Sequence, residues 1–311
     1  MISRRNIRVK VMQALYASET MEDNQPVNSI QPRKLLQKHF DLSKQLLVNI
    51  INSICEVARY VEEDARNRAS KHLPSAEDLS VNTKLAGNEL LWIINELPSW
   101  QAVVKEEKPA HWVNHDLIKK IYLQLVTTEI YQTYIATPSR DKKSEKAILD
   151  YIFSELLLPN EDYINHVEEL FTNWQDDGEM IVLLVNNFLS KPHTYNFSDL
   201  LSEEKSKFAF SLLKAVIEKN EVCMEYIKPK LKNWDAERIA VLDMILMKMG
   251  VCEFLFFETI PPKVTINEYI DLAKEYSTPQ SGQFINGILD NIHKDLVRDN
   301  NLHKISFKPN K

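Results

Sequence analysis

Only five glycines occur in 311 residues, and three of them, Gly250, Gly282 and Gly287, fall in the last quarter. Doubly wound sheets and β-sandwiches normally need more turn glycines than this. Apolar side chains instead recur at helical spacing. Phe208, Leu212, Val216, Cys223, Ile227 and Leu231 lie on or near one stripe, and Phe284, Ile288, Ile292 and Leu296 repeat the pattern. Strand-like alternation is essentially absent. The chain reads as all-α.

A content of 44% hydrophobic and 26% charged residues is that of a globular protein with a sizeable core. No run approaches the roughly 20 apolar residues that span a bilayer, and Arg8 and Lys10 interrupt any apolar leader at the N-terminus. Cys55, Cys223 and Cys252 are odd in number, widely spaced and without a CxxC, so they read as reduced packing residues of a cytoplasmic protein. The net charge of −6 is unevenly spread. Residues 1–20 hold Arg4, Arg5, Arg8 and Lys10 against Glu19 alone, and most of the acidic surplus lies between 21 and 197. That balance argues only against loose, non-specific nucleic-acid binding, because counterion release needs basic groups along a phosphate path.

Helices are expected at about 33–68, 84–97, 114–136, 142–157, 160–174 and 179–190, separated by breakers that include Pro98, Pro109, Pro138, Pro159, Gly178 and Pro192. Near the C-terminus, Thr265 and Glu268 have capping-box spacing ahead of NEYIDLAKEY. Thr278 offers an N-cap with Pro279 at the first helical position, making YSTPQ a tight corner. Pro261 and Pro262 are expected to end the preceding helix. No fixed-period repeat is present.

Two stretches carry a family resemblance. The opening, MISRRNIRVKVMQALYASE, and the segment from Trp234 to Lys294, with KVTINEYIDLAKEYS and STPQSGQFING at its heart, resemble in order the two ends of the NusB transcription-antitermination family. The resemblance implies a NusB-like helical bundle with a large helical insertion: 1–24 as its first helix, 25–197 as the insertion and 198–311 as the C-terminal domain. It implies a non-enzymatic RNA-binding adaptor that engages boxA-type single-stranded RNA together with NusE, a small-subunit ribosomal protein, within the RNA polymerase antitermination complex, without cofactor, metal or membrane.

The RNA contacts it points to are Arg4, Arg5, Arg8, Lys10 and Gln13 on the first helix, and Gln280, Ser281, Gln283 and Phe284 at the corner. Arginine suits the first group because its planar fork binds phosphate bidentately and stacks on unpaired bases. Asn6, Lys10 and Gln13 form a polar stripe opposite Ile7, Val11, Ala14 and Leu15. Phe284 fits a core aromatic as well as a base platform. Glu268, Ile270 and Ala273 read as fold-specifying, Asn267 as bracing a neighbouring backbone, and Gly287 as a site of close helix approach.

Enzyme signals fail. His111 and His115 have helical metal-pair spacing but no third ligand, and no P-loop, G-x-S-x-G or G-x-G-x-x-G occurs. Two other readings remain: a protein-only adaptor or ribosome-assembly factor on the same fold, and an accessory to ribosomal-RNA methylation.

Overall fold

A computed structural model describes residues 2–20, 30–197, 200–231 and 239–305. The expected boundaries at 24/25 and 197/198, and Trp234 at the head of the matching segment, touch residues outside these ranges. Fifteen α-helices and no strand occur among the described residues, so the all-α reading holds. The chain divides into two compact units, 41–200 and 2–40 with 201–311, and the division falls inside one 40-residue helix.

The second unit contains α1 (Arg4–Thr20), the start of α2 (Ile30–Ala69), and, counting along the chain past eight intervening α-helices, α11 (Glu203–Glu218), α12 (Asn220–Ile227), α13 (Val241–Phe256), α14 (Pro262–Tyr276) and α15 (Pro279–Arg298). The sequence VLDMILMKMGVCEFLF of α13 is apolar on nearly every face, so it can be stable only with neighbours all round. It has them: α1, α11, α12, α14 and α15 all pack on it. Gly250 allows part of this, because a Cβ there would meet both Leu289 methyls at 2.8 and 2.9 Å. Lys304, after α15, donates to the carbonyls of Glu253 and Phe257 at 2.7 and 2.8 Å, closing the open end of α13. Burial lowers its pKa to about 8, with Glu253 and Glu258 partly offsetting the fall.

The first unit contains the rest of α2, then α3 (Ala76–Leu79), α4 (Glu89–Glu96), α5 (Pro98–Glu107), α6 (His115–Leu125), α7 (Glu129–Ala136), α8 (Lys142–Tyr151) continued by a π-helical turn over Ile152–Leu157, α9 (Glu161–Leu170) and α10 (Trp174–Ser190). Trp100, Phe188, Tyr195 and Phe197 pack tilted and edge-on with centroids about 5 Å apart, a geometry that aromatic quadrupoles favour. Glu145 is fully buried but satisfied by Arg140, the Tyr134 hydroxyl and the Glu89 amide.

Several local expectations are corrected. Pro98 opens α5, because proline at the first helical position forfeits no hydrogen bond. The helix expected over 114–136 is broken after Val126, where the Thr128 hydroxyl accepts from the Tyr131 amide and starts a new helix. Gly178 sits inside α10, covered by the Trp174 ring. Thr265 and Glu268 form no capping box: α14 begins at Pro262 with Pro261 as its cap, so both residues lie within the helix and turn inward. The two prolines therefore start α14 and do not end α13. The widely spaced Cys223 and Cys252 come together, with their buried sulfurs 3.4 Å apart.

Gly287 shows no close approach: nothing lies within 4 Å of a Cβ added there. An exposed mid-helix glycine costs backbone entropy without return. Gly287→Ala should therefore stabilise the protein by about 0.5–1 kcal/mol, read as a higher urea midpoint. A lower midpoint would mean that the site is packed after all.

Candidate nucleic-acid interface

The first turn of α1 breaks a local rule. Ser3 accepts from the Asn6 amide at 3.1 Å and caps the helix. The next two residues are Arg4 and Arg5, and the turn contains no acidic residue. A helix N-terminus carries partial positive charge and favours carboxylates, so two guanidiniums there cost stability. Both remain more than a third exposed, held by carboxylates from other helices: Arg4 by Glu204 at 2.6 Å and Arg5 by Glu275 at 2.8 Å. Exposed pairs of this kind are worth about 0–1 kcal/mol, so a stronger anion can displace either carboxylate.

Arg8 differs in kind. Its side chain is 2% exposed and forms a fork with Glu253, Nε to Oε1 at 2.7 Å and Nη2 to Oε2 at 3.1 Å. Nη1 donates to Glu268 at 3.2 Å, and the Phe208 and Tyr269 rings lie 5.6 and 5.9 Å from the guanidinium. Glu253 also accepts from the Thr265 and Tyr269 hydroxyls at 2.9 and 2.8 Å. Burial alone would pull the Arg8 pKa down. The hydrogen bond and charge of Glu253, with Tyr269 and Glu268 behind it, outweigh that, and the net shift is upward. Arg8 therefore ties α1 to α13 and α14 and presents nothing to a ligand. Lys10, 1% exposed, is buried as well. The expected polar stripe is wrong at this position.

The corner between α14 and α15 forms as its sequence implies. Thr278 caps α15, accepting from the Ser281 amide at 3.1 Å, and Pro279 follows at the first position. Ser281 is 5% exposed, and its hydroxyl donates to Asp243 at 2.8 Å. It anchors the corner to α13. Gln280 and Gln283 are exposed, and Phe284 is half-buried.

The ion pair of Arg5 with Glu275 sets the start of α1 beside the end of α14. Further along α1, Gln13 shares a groove of about 460 Å³ with Met12, Tyr16, Val241, Tyr276 and Ser277. Tyr16 and Val241 are over two-fifths exposed. Gln283 lines a separate groove of similar size with Lys274 and Asn286, so it is not gathered with Gln13. Sequence reasoning does not single out Tyr16 or Tyr276. Tyr16 lies one turn after Gln13, a spacing that could have flagged it. Among the described residues, no group of three or more His, Cys, Asp or Glu is placed to hold a metal, and no helix is long and apolar enough to cross a membrane.

Comparison with known proteins bears on the part of this surface that α13, α14 and α15 supply. The model of the NusB family matches residues 160–294. A transcription antitermination protein NusB from Chloroherpeton thalassium is 37% identical over 107 residues, 34% of this chain and 51% of that protein. Against it, then, the chain spans about half the length of the relative. One from Methylacidiphilum infernorum is 42% identical over 33% of this chain and 72% of its own length. One from Nitratiruptor is 36% identical over 40% of this chain and 94% of its own. No solved structure matches the chain.

Proposed function

The chain belongs to the NusB family, and we propose that it acts as a transcription antitermination factor, a non-catalytic adaptor that binds single-stranded boxA-type RNA together with NusE. The observation that carries this reading is the placement of Arg4 and Arg5 at the start of α1, half-exposed and only weakly held, beside the end of α14. Phosphate would displace Glu204 and Glu275, because charge-assisted bidentate bonds to arginine are stronger than screened surface pairs. The groove along α1 offers what an unpaired base needs: the exposed ring of Tyr16, with Tyr276 and the Gln13 amide nearby. Gln280, and less centrally Gln283 and Phe284, would extend the surface past the corner. Arg8 and Ser281 act behind it, holding α1 and the corner in place. Such a composite surface couples RNA affinity to a bound protein partner.

The test is equilibrium binding of a boxA-type single strand, with and without NusE, against the same sequence as a duplex. The reading expects preference for the single strand and tighter binding with NusE. Glu275→Gln, which releases Arg5, should tighten binding severalfold. Equal affinity for single strand and duplex, or no RNA binding even with NusE, would promote the protein-only adaptor instead.

A further inference from the structure

The thirty residues from Glu161 to Ser190, which form α9 and α10, contain seven carboxylates and no lysine or arginine. Part of that charge is internal. Asp177 is buried, accepting from Ser43 at 2.7 Å and Asn173 at 2.6 Å. The other six are exposed or half-buried, and two of them, Glu168 and Glu179, border an apolar groove of about 640 Å³ lined also by Trp174, Gly178, Val182 and Leu183. The geometry follows from helical spacing. Trp174, Gly178 and Val182 form one column of α10, and Gln175, Glu179 and Leu183 the adjacent one. Gly178 keeps the first column shallow, so the Trp174 ring lies against the helix, 3.4 Å from where a Cβ would sit. Leu183 is 64% exposed, and Leu170, at the end of α9, is 39% exposed. The charged residues of the lining are Glu168 and Glu179, both acidic.

A half-buried indole and valine beside an exposed leucine, along about 14 Å of helix, mark an interaction face. A rim whose charged side chains, among the described residues of the lining, are both acidic selects the charge of what covers it. We propose that this face of α10 docks a lysine- or arginine-rich amphipathic helix of a partner protein, its apolar side on Trp174, Val182 and Leu183 and its cations on Glu168 and Glu179. The inference goes beyond the RNA-binding reading and uses none of its residues. An acidic membrane would repel this face, as would RNA, and complementarity leaves a basic protein segment.

The probe is a synthetic 14-residue amphipathic peptide of leucine and lysine, titrated against the full-length protein. A peptide with glutamate in place of each lysine is the control. The lysine peptide should bind, and the glutamate peptide should bind at least tenfold more weakly. Glu179→Lys with Leu183→Lys, both at exposed positions, should weaken lysine-peptide binding at least tenfold. Glu62→Lys with Glu63→Lys, which adds +4 on an exposed face of α2 against +3 in the α10 variant, should change it less than twofold. Equal loss in both double variants would reduce the effect to net charge and overturn the proposal. So would unchanged affinity in the α10 variant, or equal binding of the two peptides. Binding of single-stranded RNA to the α10 variant should match the parent protein, which separates this outcome from failure of the antitermination reading.

Discussion

Arg8→Met should cost about 3–5 kcal/mol of folding stability, because it leaves the buried Glu253 carboxyl without its guanidinium partner. Glu253 is fully buried, and the Thr265 and Tyr269 hydroxyls that remain are weak substitutes for a forked guanidinium. Typical domains hold only about 5–15 kcal/mol in all, so the variant should show a sharply lower urea midpoint for the transition reporting residues 2–40 and 201–311. Glu253→Leu should be as harmful, since it strands the Arg8 charge and takes the acceptor from both hydroxyls. The double variant should be no worse than either single one. Replacing a buried pair with apolar groups of similar volume is often close to neutral, and here the two hydroxyls remain to be satisfied at about 1–3 kcal/mol each. Additive losses in that cycle would show that Arg8 and Glu253 act separately. A loss below 1 kcal/mol for Arg8→Met would show that apolar packing, not the ion pair, joins α1 to α13.

Arg4→Gln with Arg5→Gln should weaken single-stranded RNA binding by at least tenfold while leaving helix content and urea midpoint almost unchanged. The stability side follows from exposure: both arginines are over a third exposed, and their partners Glu204 and Glu275 more so. Removing cations from a helix N-terminus also relieves an unfavourable dipole interaction. The binding side follows from counterion release. Each phosphate contact on a single strand contributes about 0.7 to the log–log salt slope, so losing two should flatten it by about 1.4. An unchanged slope, measured with NusE present, would remove these arginines from the interface. Tyr16→Ala complements the test, since an exposed stacking ring should cost about 1–3 kcal/mol of binding and little stability.

Much of this was legible from the chain alone. Few glycines and apolar residues at helical spacing specify an all-α protein because both act locally, through backbone freedom and the 3.6-residue period. Thr278 and Pro279 gave the corner correctly for the same reason: a cap is satisfied by an amide three residues away. Strings at the two ends pointed to the family, and comparison placed the chain in it, with the family model covering the C-terminal string at 160–294.

What sequence could not decide was which polar residues face water. Arg4, Arg5, Arg8 and Lys10 look alike in a string of ten. Arg8 is assigned to the interior by Glu253, 245 positions away, and Arg5 is held at the surface by Glu275. Thr265 and Glu268 have capping-box spacing, yet they turn inward because α14 starts earlier and Glu253 and Arg8 supply stronger partners. Ser281 looked like a surface hydroxyl until Asp243 claimed it. Local spacing determines where helices form and how they are capped. The charge state, exposure and role of a side chain depend on partners that only the packing of distant helices brings within 3 Å.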